Sequence, residues 1–255
     1  MSSALRRPSL RQTLLPLLGL VTLALTFAGC ATYLPPGAKA DLQALAPPSI
    51  QEVFAAKPSR PFPASLAVVR IQAPTYGNYY LNRHGGQYGT GRYTVIMTRE
   101  VETQAQFDRV AALPRVAGLV TLNRLLLPSK LEGDRELREA AARLQADLVL
   151  VYTFDTAFFD HDAARPLTVI TLGLSPTRKI TAVTTVSALL LDTRTGYVYA
   201  AYEVTERAAT LATSWGSCES ADATRQTTER NAFAKLVDEF AREWPRLLAR
   251  YDKKD

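Results

Sequence analysis

The stretch "AARLQADLVLVYTF" spans residues Ala141–Phe154 and decides the predicted fold. Its first part belongs to a helix predicted over Arg135–Gln145, with apolar residues at helical spacing and Asp134 placed to cap the first turn. The next residues, Leu148–Tyr152, form an uninterrupted apolar run of the length expected for a strand that is buried on both faces. A helix that leads directly into such a strand is typical of α/β proteins. We therefore predict an α/β fold, with α+β as the alternative.

The flanking sequence supplies further elements of the same kind. Ser65–Gln72 is rich in valine and isoleucine and lies between prolines, which indicates another buried strand. Phe107, Val110 and Leu113 share one helical face in a segment that ends at Pro114. A strand over Val116–Leu122 is predicted next.

The C-terminal half predicts a long hairpin and a closing helix. Arg178–Asp192 alternates β-branched with small residues, and the turn at Thr193–Gly196 leads into a second strand over Tyr197–Glu206. Thr228–Trp244 then places its apolar residues at helical spacing until Pro245, where we expect the helix to end. Its aromatic stripe is expected to pack in the core. Together these elements predict a single compact domain with a mixed sheet.

The N-terminus carries an export signal. Arginines at positions 6, 7 and 11 precede an apolar run over Leu14–Ala28, which is too short and wrongly flanked for a stable membrane-spanning helix. Phe27-Ala28-Gly29-Cys30 resembles the bacterial lipobox, with phenylalanine where leucine is usual. This resemblance implies cleavage before Cys30 and lipidation of its thiol, including palmitate. An ordinary cleaved signal with an incidental cysteine is the alternative.

Lipidation predicts a membrane-attached protein with three regions. Two or more acyl chains at Cys30 are enough for stable anchoring. Because Ala31 and Thr32 follow rather than aspartate, the outer membrane is expected, with the protein facing the periplasm. Residues 1–29 are predicted to be the signal peptide, 30–63 the lipidated cysteine and a proline-rich tether, and 64–255 the globular domain. The tether holds seven of the fifteen prolines, and Ile50, Val53 and Phe54 are candidates to dock onto the domain.

Charge and cysteine content limit the possible partners. Three of the thirty basic residues and none of the acids lie in the first 29 positions, so the net charge of +6 falls to +3 in the remainder. Its basic residues are interspersed with acids, and we therefore expect no nucleic-acid binding. With Cys30 lipidated, Cys218 is the one remaining thiol and has no intrachain disulfide partner.

Three segments together resemble a group of bacterial envelope lipoproteins. They are "AARLQADLVLVYTF", "SALLLDTRTGYVYAAYEV" with its Asp192-x-x-x-Gly196 turn, and "ERNAFAKLVDEFAREW". In this order they look like the curli secretion lipoprotein, the penicillin-binding-protein activator lipoproteins and the N-terminal domain of the TolB type. The resemblance implies a non-enzymatic α/β domain that docks onto other envelope proteins or assembles into a ring.

Two segments are predicted as irregular loops, where binding residues often lie. The first, Pro74–Arg92, combines five glycines with tyrosines; the second, Ala209–Thr227, contains Trp215 and Cys218. The alternative for the first loop is a flexible connection without a binding role. The alternative for the second loop is a tryptophan that packs over the sheet edge. The candidate partner-binding residues are Tyr76, Tyr79, Tyr80, Tyr88, Trp215 and Cys218.

The sequence offers little that predicts catalysis. Asp160-His161-Asp162 is a weak metal candidate, because neighbouring strand residues point to opposite faces. A Cys218 nucleophile would need His84 or His161 nearby in space. We therefore expect no enzyme activity, metal or small-molecule cofactor. The predicted function is an interaction or regulatory module that binds an envelope protein. The alternatives are a lipoprotein that assembles with itself through its sheet or Cys218 and, third, a cell-wall hydrolase.

Overall fold

The computed structural model describes residues 39–40, 50–59, 62–78, 81, 84–162, 178–213 and 217–252. Its elements in chain order are α1 (Ile50–Ala55), β1 (Ala64–Gln72), β2 (Gln87–Tyr88), β3 (Thr90–Gly91), β4 (Thr94–Ile96), α2 (Gln104–Ala111), β5 (Val116–Thr121), a 3-10 turn (Arg124–Leu126), β6 (Lys130–Leu131), α3 (Arg135–Arg143), β7 (Leu148–Asp162), β8 (Arg178–Asp192), β9 (Val198–Ala212) and α4 (Ser217–Tyr251). The predicted α/β class, mixed sheet, long hairpin and packing helices are confirmed.

Strand β1 lies inside a seven-stranded mixed sheet. It runs parallel to β7 on one side; on the other it pairs in parallel with β5 along its first half and antiparallel with β4 at its end. The order β2-β4-β1-β7-β8-β9 ends in three antiparallel strands of 15 residues each. β3 and β6 form a separate two-stranded sheet. Within the described part of the chain β9 pairs with β8 alone, so β9 is an edge strand.

The sheet is covered unequally by helices. On one face, α4 packs Phe233, Phe240 and Trp244 against the inward side chains of the long strands, among them Leu150 and Tyr152. On the opposite face, α3 supplies buried residues that pack against the first residues of β7. Beyond Thr153, β7 alternates between exposed and buried residues. One face of the long strands therefore lacks a covering helix at that end, as far as the described residues show.

The closing helix differs from the prediction at both ends. It begins at Ser217 rather than Thr228 and continues through Pro245 to Tyr251. Pro245 is exposed, so the carbonyl group that loses its helical hydrogen bond lies near the surface, and buried Leu247 and Tyr251 keep the last turns against the core. The first turns contain polar residues such as Thr224 and Thr228, whose hydroxyls donate to the carbonyls four residues earlier. The loop predicted over Ala209–Thr227 is therefore wrong: strand β9 and helix α4 account for most of it.

The long hairpin is longer than its sequence pattern indicated. β7 continues ten residues past Tyr152, and β9 extends beyond Glu206 to Ala212. Both extensions pair with β8, whose predicted bounds are confirmed. The extension of β7 was missed because one of its faces is exposed and its apolar run is interrupted by Asp155.

Candidate functional site

The first predicted loop contributes a tyrosine to the interior. Tyr76 is 4% exposed, and its hydroxyl accepts hydrogen bonds from Arg70 at 3.0 Å and Asn78 at 2.9 Å. Tyr88 is half-buried and donates to the Leu127 carbonyl at 3.1 Å. Burial therefore keeps Tyr76 from contacting a partner.

The other predicted site residues are described only in part. Cys218 lies in the first turn of α4, and its side chain is outside the described residues. His84 is exposed, and the side chain of His161 in β7 is again outside them. Cys30, Tyr79, Tyr80 and Trp215 also lie outside the described residues. Among the described residues, no group of three or more His, Cys, Asp or Glu side chains is arranged to hold a metal.

Arg225 of α4 is the centre of a buried charge network that sequence reasoning missed. Its guanidinium donates to Glu229 at 2.7 Å, Glu100 at 2.9 Å and Asp222 at 3.0 Å. All four side chains are less than 10% exposed. The network therefore joins the first half of α4 to the segment that precedes α2.

Arg70 extends this network into the sheet. Its guanidinium lies 3.5 Å from both Glu102 and Glu229, and its Cζ is 4.5 Å from the ring centroid of Phe154. The Tyr152 hydroxyl donates to Glu102 at 2.9 Å, and Thr156 donates to Glu229 at 3.1 Å. Buried charges are tolerated when they are paired and hydrogen-bonded in this way. The sequence signal for this site is an arginine inside the apolar strand "ASLAVVRIQ".

The pKa shifts in the network follow from burial and from pairing. Burial raises the pKa of the Glu229 carboxyl, and the nearby Arg225 and Arg70 only partly offset it. Burial alone would lower the pKa of Arg70, but Tyr76, Glu102 and Glu229 reverse this and raise it. Burial also raises the pKa of Tyr76 to about 12. Two guanidinium groups are paired with four carboxylates and shielded from solvent, an arrangement that fixes the position of α4 against the sheet.

A small cavity of about 60 Å³ lies beside the network. Three buried polar atoms belong to residues that line this cavity and have no hydrogen-bond partner within the protein: Arg70 Nε, Glu102 Oε2 and Thr98 Oγ1. Buried polar atoms of this kind in a small polar cavity are commonly satisfied by water. The cavity is far smaller than the pockets that hold drug-sized ligands, which occupy roughly 300–1,000 Å³.

Two of the three tether residues predicted to dock do not contact the domain, and the side chain of the third, Ile50, lies outside the described residues. Val53 is 56% and Phe54 84% exposed, so neither docks. Instead, Phe62 packs edge-on against Trp244 with ring centroids 5.7 Å apart. Earlier in the chain, the backbone N–H of Ala40 donates to Thr153 Oγ1 at 3.2 Å, although 113 residues separate the two in sequence.

Asp192 at the hairpin turn binds the tether and the turn together. Its carboxylate accepts from the Ser59 backbone N–H at 2.8 Å, from the Ser59 hydroxyl at 2.5 Å and from the Tyr199 hydroxyl at 3.0 Å. It also accepts from the backbone N–H groups of Arg194 and Thr195. Burial opposes the charged form, but these hydrogen bonds outweigh it and lower the pKa of Asp192.

Beyond Thr153, the face of the long strands opposite α4 is exposed or partly exposed, except at Thr181, which is 2% exposed. We name it the open face. Its side chains carry charges of both signs, many are threonine or alanine, and Phe159 (52%) and Leu211 (59%) are among the most exposed large apolar residues. The open face consists of Asp155, Ala157, Phe159, Lys179, Val183, Thr185, Ser187, Ala201, Glu203, Thr205, Arg207, Ala209 and Leu211.

None of the described helices is long and apolar enough to cross a membrane. No family model matches this chain, and no curated protein does. The resemblance to the three lipoprotein groups therefore stays a prediction.

Two solved structures show limited similarity to this chain. One is from Helicobacter pylori and is provisionally described as a neuraminyllactose-binding hemagglutinin homolog; it has 11% identity and a TM-score of 0.32 over 75% of this chain and 92% of the other. The second, from Caulobacter crescentus, is provisionally described as a lipoprotein; it has 16% identity and a TM-score of 0.25 over 43% of this chain and 70% of the other. Both scores are too low to establish a shared fold.

Proposed function

We propose that this protein is a lipoprotein of the bacterial outer membrane, anchored at Cys30 and facing the periplasm, that docks another envelope protein on its open face. It acts as a non-catalytic interaction module. The observation that carries this proposal is the unequal covering of the long strands. One face packs on α4 along its length, whereas the open face presents Phe159 and Leu211 with no described element packed over them.

The chemistry of the open face favours a protein partner. The surface is formed by strands and is not a pocket, which argues against a small molecule, since small-molecule sites are concave. Asp155 and Glu203 are balanced by Lys179 and Arg207, which argues against a polymer of one charge. Partly exposed aromatic and aliphatic side chains among small polar ones are the composition in which interface anchors are found.

The tether is compatible with docking close to a membrane. Ala40 is bound at Thr153, next to the open face, and Cys30 precedes it by ten residues. A fully extended chain of ten residues spans at most about 35 Å. A lipid at Cys30 would keep the domain within that distance of the bilayer and leave its strands accessible.

Site-specific photocrosslinking in the native envelope tests the docking site. A photoreactive amino acid at Ala157 lies on the open face, and the matched control at Arg230 lies on the exposed side of α4. We expect a discrete adduct with a different envelope protein from position 157 and none from position 230. Equal adducts at both positions, or adducts with a second copy only, would contradict the proposal.

Anchoring is tested separately with Cys30→Ser. We expect the wild-type protein to incorporate labelled palmitate and to sediment with outer membranes. The variant should do neither. A variant that still sediments with the outer membrane would show that the lipid is not the anchor.

A further inference from the structure

Strand β9 is a long edge strand, and no other strand of the part of the chain that the structure describes pairs with its outer side. Its 15 residues, "VYAAYEVTERAATLA", contain no proline, glycine or lysine. Natural edge strands are commonly short or protected by proline, lysine, bulges or a covering element. The one irregularity is near its start, where the register with β8 shifts between Leu190 and Leu191. Most of β9 therefore presents a regular set of backbone donors and acceptors.

The side chains of β9 are complementary to themselves. In an antiparallel pairing centred on Thr205, Glu203 of one copy lies directly opposite Arg207 of the other, and the reverse pair forms across the axis. All three residues are exposed on the open face, so the opposed charges would share one side of the joined sheet. Directly opposed charges of opposite sign stabilise antiparallel pairs.

The same register brings together the exposed apolar residues at the two ends of β9. Val198 is 47% exposed, and Leu211 at the other end is 59% exposed. The register shift places Val198 level with Leu191, on the side of the sheet that faces away from α4. Pairing about Thr205 sets Leu211 of the second copy beside Val198 and Tyr199. Because the contact is symmetric, it would cover Val198 and Leu211 in each of the two copies.

A groove of about 410 Å³ lies between the start of β9 and the end of α4, beside the edge where the end of the second strand would pair. It is lined by residues that include Tyr199, Tyr202 and Leu247. In the symmetric register the small residues Ala208 and Ala209 of the second copy lie opposite this segment.

We propose that the protein self-associates through antiparallel β9–β9 pairing about a two-fold axis at Thr205. A second copy is the occupant because one register pairs Glu203 with Arg207 and also covers the exposed apolar residues at both ends of β9. A two-fold axis perpendicular to the sheet keeps both α4 helices on one side and joins the two open faces on the other. Self-association at this edge does not depend on docking of a different protein on the open face.

Disulfide trapping in the full lipidated chain tests the register. In a Cys218→Ser background, Thr205→Cys places two thiols on the axis, where cross-strand Cα atoms are about 4.5–5.5 Å apart and within disulfide range. The matched control is Thr185→Cys, which pairs with Thr205 from the next strand inward, so its two copies would lie roughly 14 Å apart. We expect a covalent dimer from Thr205→Cys alone. No dimer from it, or equal dimer from both variants, would overturn the proposal.

A charge exchange tests the same interface without cysteines. Sedimentation equilibrium of the full chain in detergent should show that Glu203→Arg and Arg207→Glu each weaken dimerisation roughly tenfold, because each creates two like-charge pairs. The double variant should restore the wild-type dissociation constant. Thermal unfolding of each variant confirms that the domain remains folded. Single variants that dimerise like the wild type, or a double variant that stays weak, would overturn the register.

Discussion

The two ends of the long strands β7, β8 and β9 are built from different chemistry. Near the hairpin turn, Leu148, Leu150 and Tyr152 pack against α4 while Val149 and Val151 pack toward α3. At the far end, the described residues cover only the α4 side, and much of what lies there is polar. Thr156 and Thr184 hydrogen-bond to each other at 3.0 Å, and Thr156 also reaches Glu229.

This difference assigns two roles to the same strands. Burial of apolar surface near the turn stabilises the domain by roughly 25 cal/mol per Å². At the far end, paired charges position α4 and leave the opposite face free. The near end is expected to contribute to stability alone, whereas the far end is expected to contribute to stability through the charge network and to binding through the open face.

The largest expected effect comes from the charge network. Arg225→Met leaves the carboxylates of Glu100, Asp222 and Glu229 without their shared partner. Removing one member of a buried ion network costs about 3–5 kcal/mol. Urea unfolding should show this loss, and Arg242→Met, whose side chain is 67% exposed, should change the free energy of unfolding by less than about 0.5 kcal/mol. An Arg225 variant as stable as the control would mean that the network does not position α4.

A matched pair of leucines compares the two ends directly. Leu150 is 5% exposed at the near end, whereas Leu211 is 59% exposed on the open face. We expect Leu150→Ala to lower the free energy of unfolding by about 3 kcal/mol and Leu211→Ala by less than about 0.5 kcal/mol. Chemical denaturation measures both. Similar losses would remove the distinction between a stabilising end and a binding end.

Asp192→Asn is expected to cost about 2 kcal/mol at neutral pH, because the charged acceptor for Ser59, Tyr199 and the turn is lost. The folded-state pKa of Asp192 is lowered, so its contribution is present above the unfolded pKa of about 3.9 and is lost as pH falls through the folded pKa. The stability difference between wild type and variant should therefore shrink toward pH 3.

The control for this prediction is Asp238→Asn. Asp238 pairs with Arg109, but both side chains are 55% exposed. Its effect should be small at every pH, since exposed ion pairs contribute little. A difference between wild type and Asp192→Asn that stays constant from pH 7 to pH 3 would contradict the assigned role of the Asp192 charge.

Much of the fold could be predicted from the sequence because its central elements follow simple patterns. The apolar run at Leu148–Tyr152 marks a strand buried on both faces, and the alternation over Arg178–Asp192 gives the bounds of β8. Prediction was wrong where polar residues are buried. The segment before Thr228 looks like a loop because Asp222, Thr224 and Arg225 are polar, yet they form the first turns of α4 inside the charge network.

The candidate site was harder to predict for the same reason. Tyr76 was assigned to a binding loop from its glycine-rich surroundings, but its hydroxyl completes the environment of Arg70. Predicting the open face requires knowing that β7 continues past Asp155 and that its extension pairs with β8. Local periodicity cannot report which face of an extended strand receives a helix, since that depends on the packing of α3 and α4.

The most direct test of the account is the yield of the Ala157 photocrosslink in a Phe159→Asp background. Phe159 follows Ala157 by two residues on the open face, so the two side chains lie on the same side of β7. We predict that the adduct with another envelope protein is lost while the free energy of unfolding changes by less than about 0.5 kcal/mol. An adduct of unchanged yield from the folded variant would contradict the claim that the far end of the sheet is the binding surface.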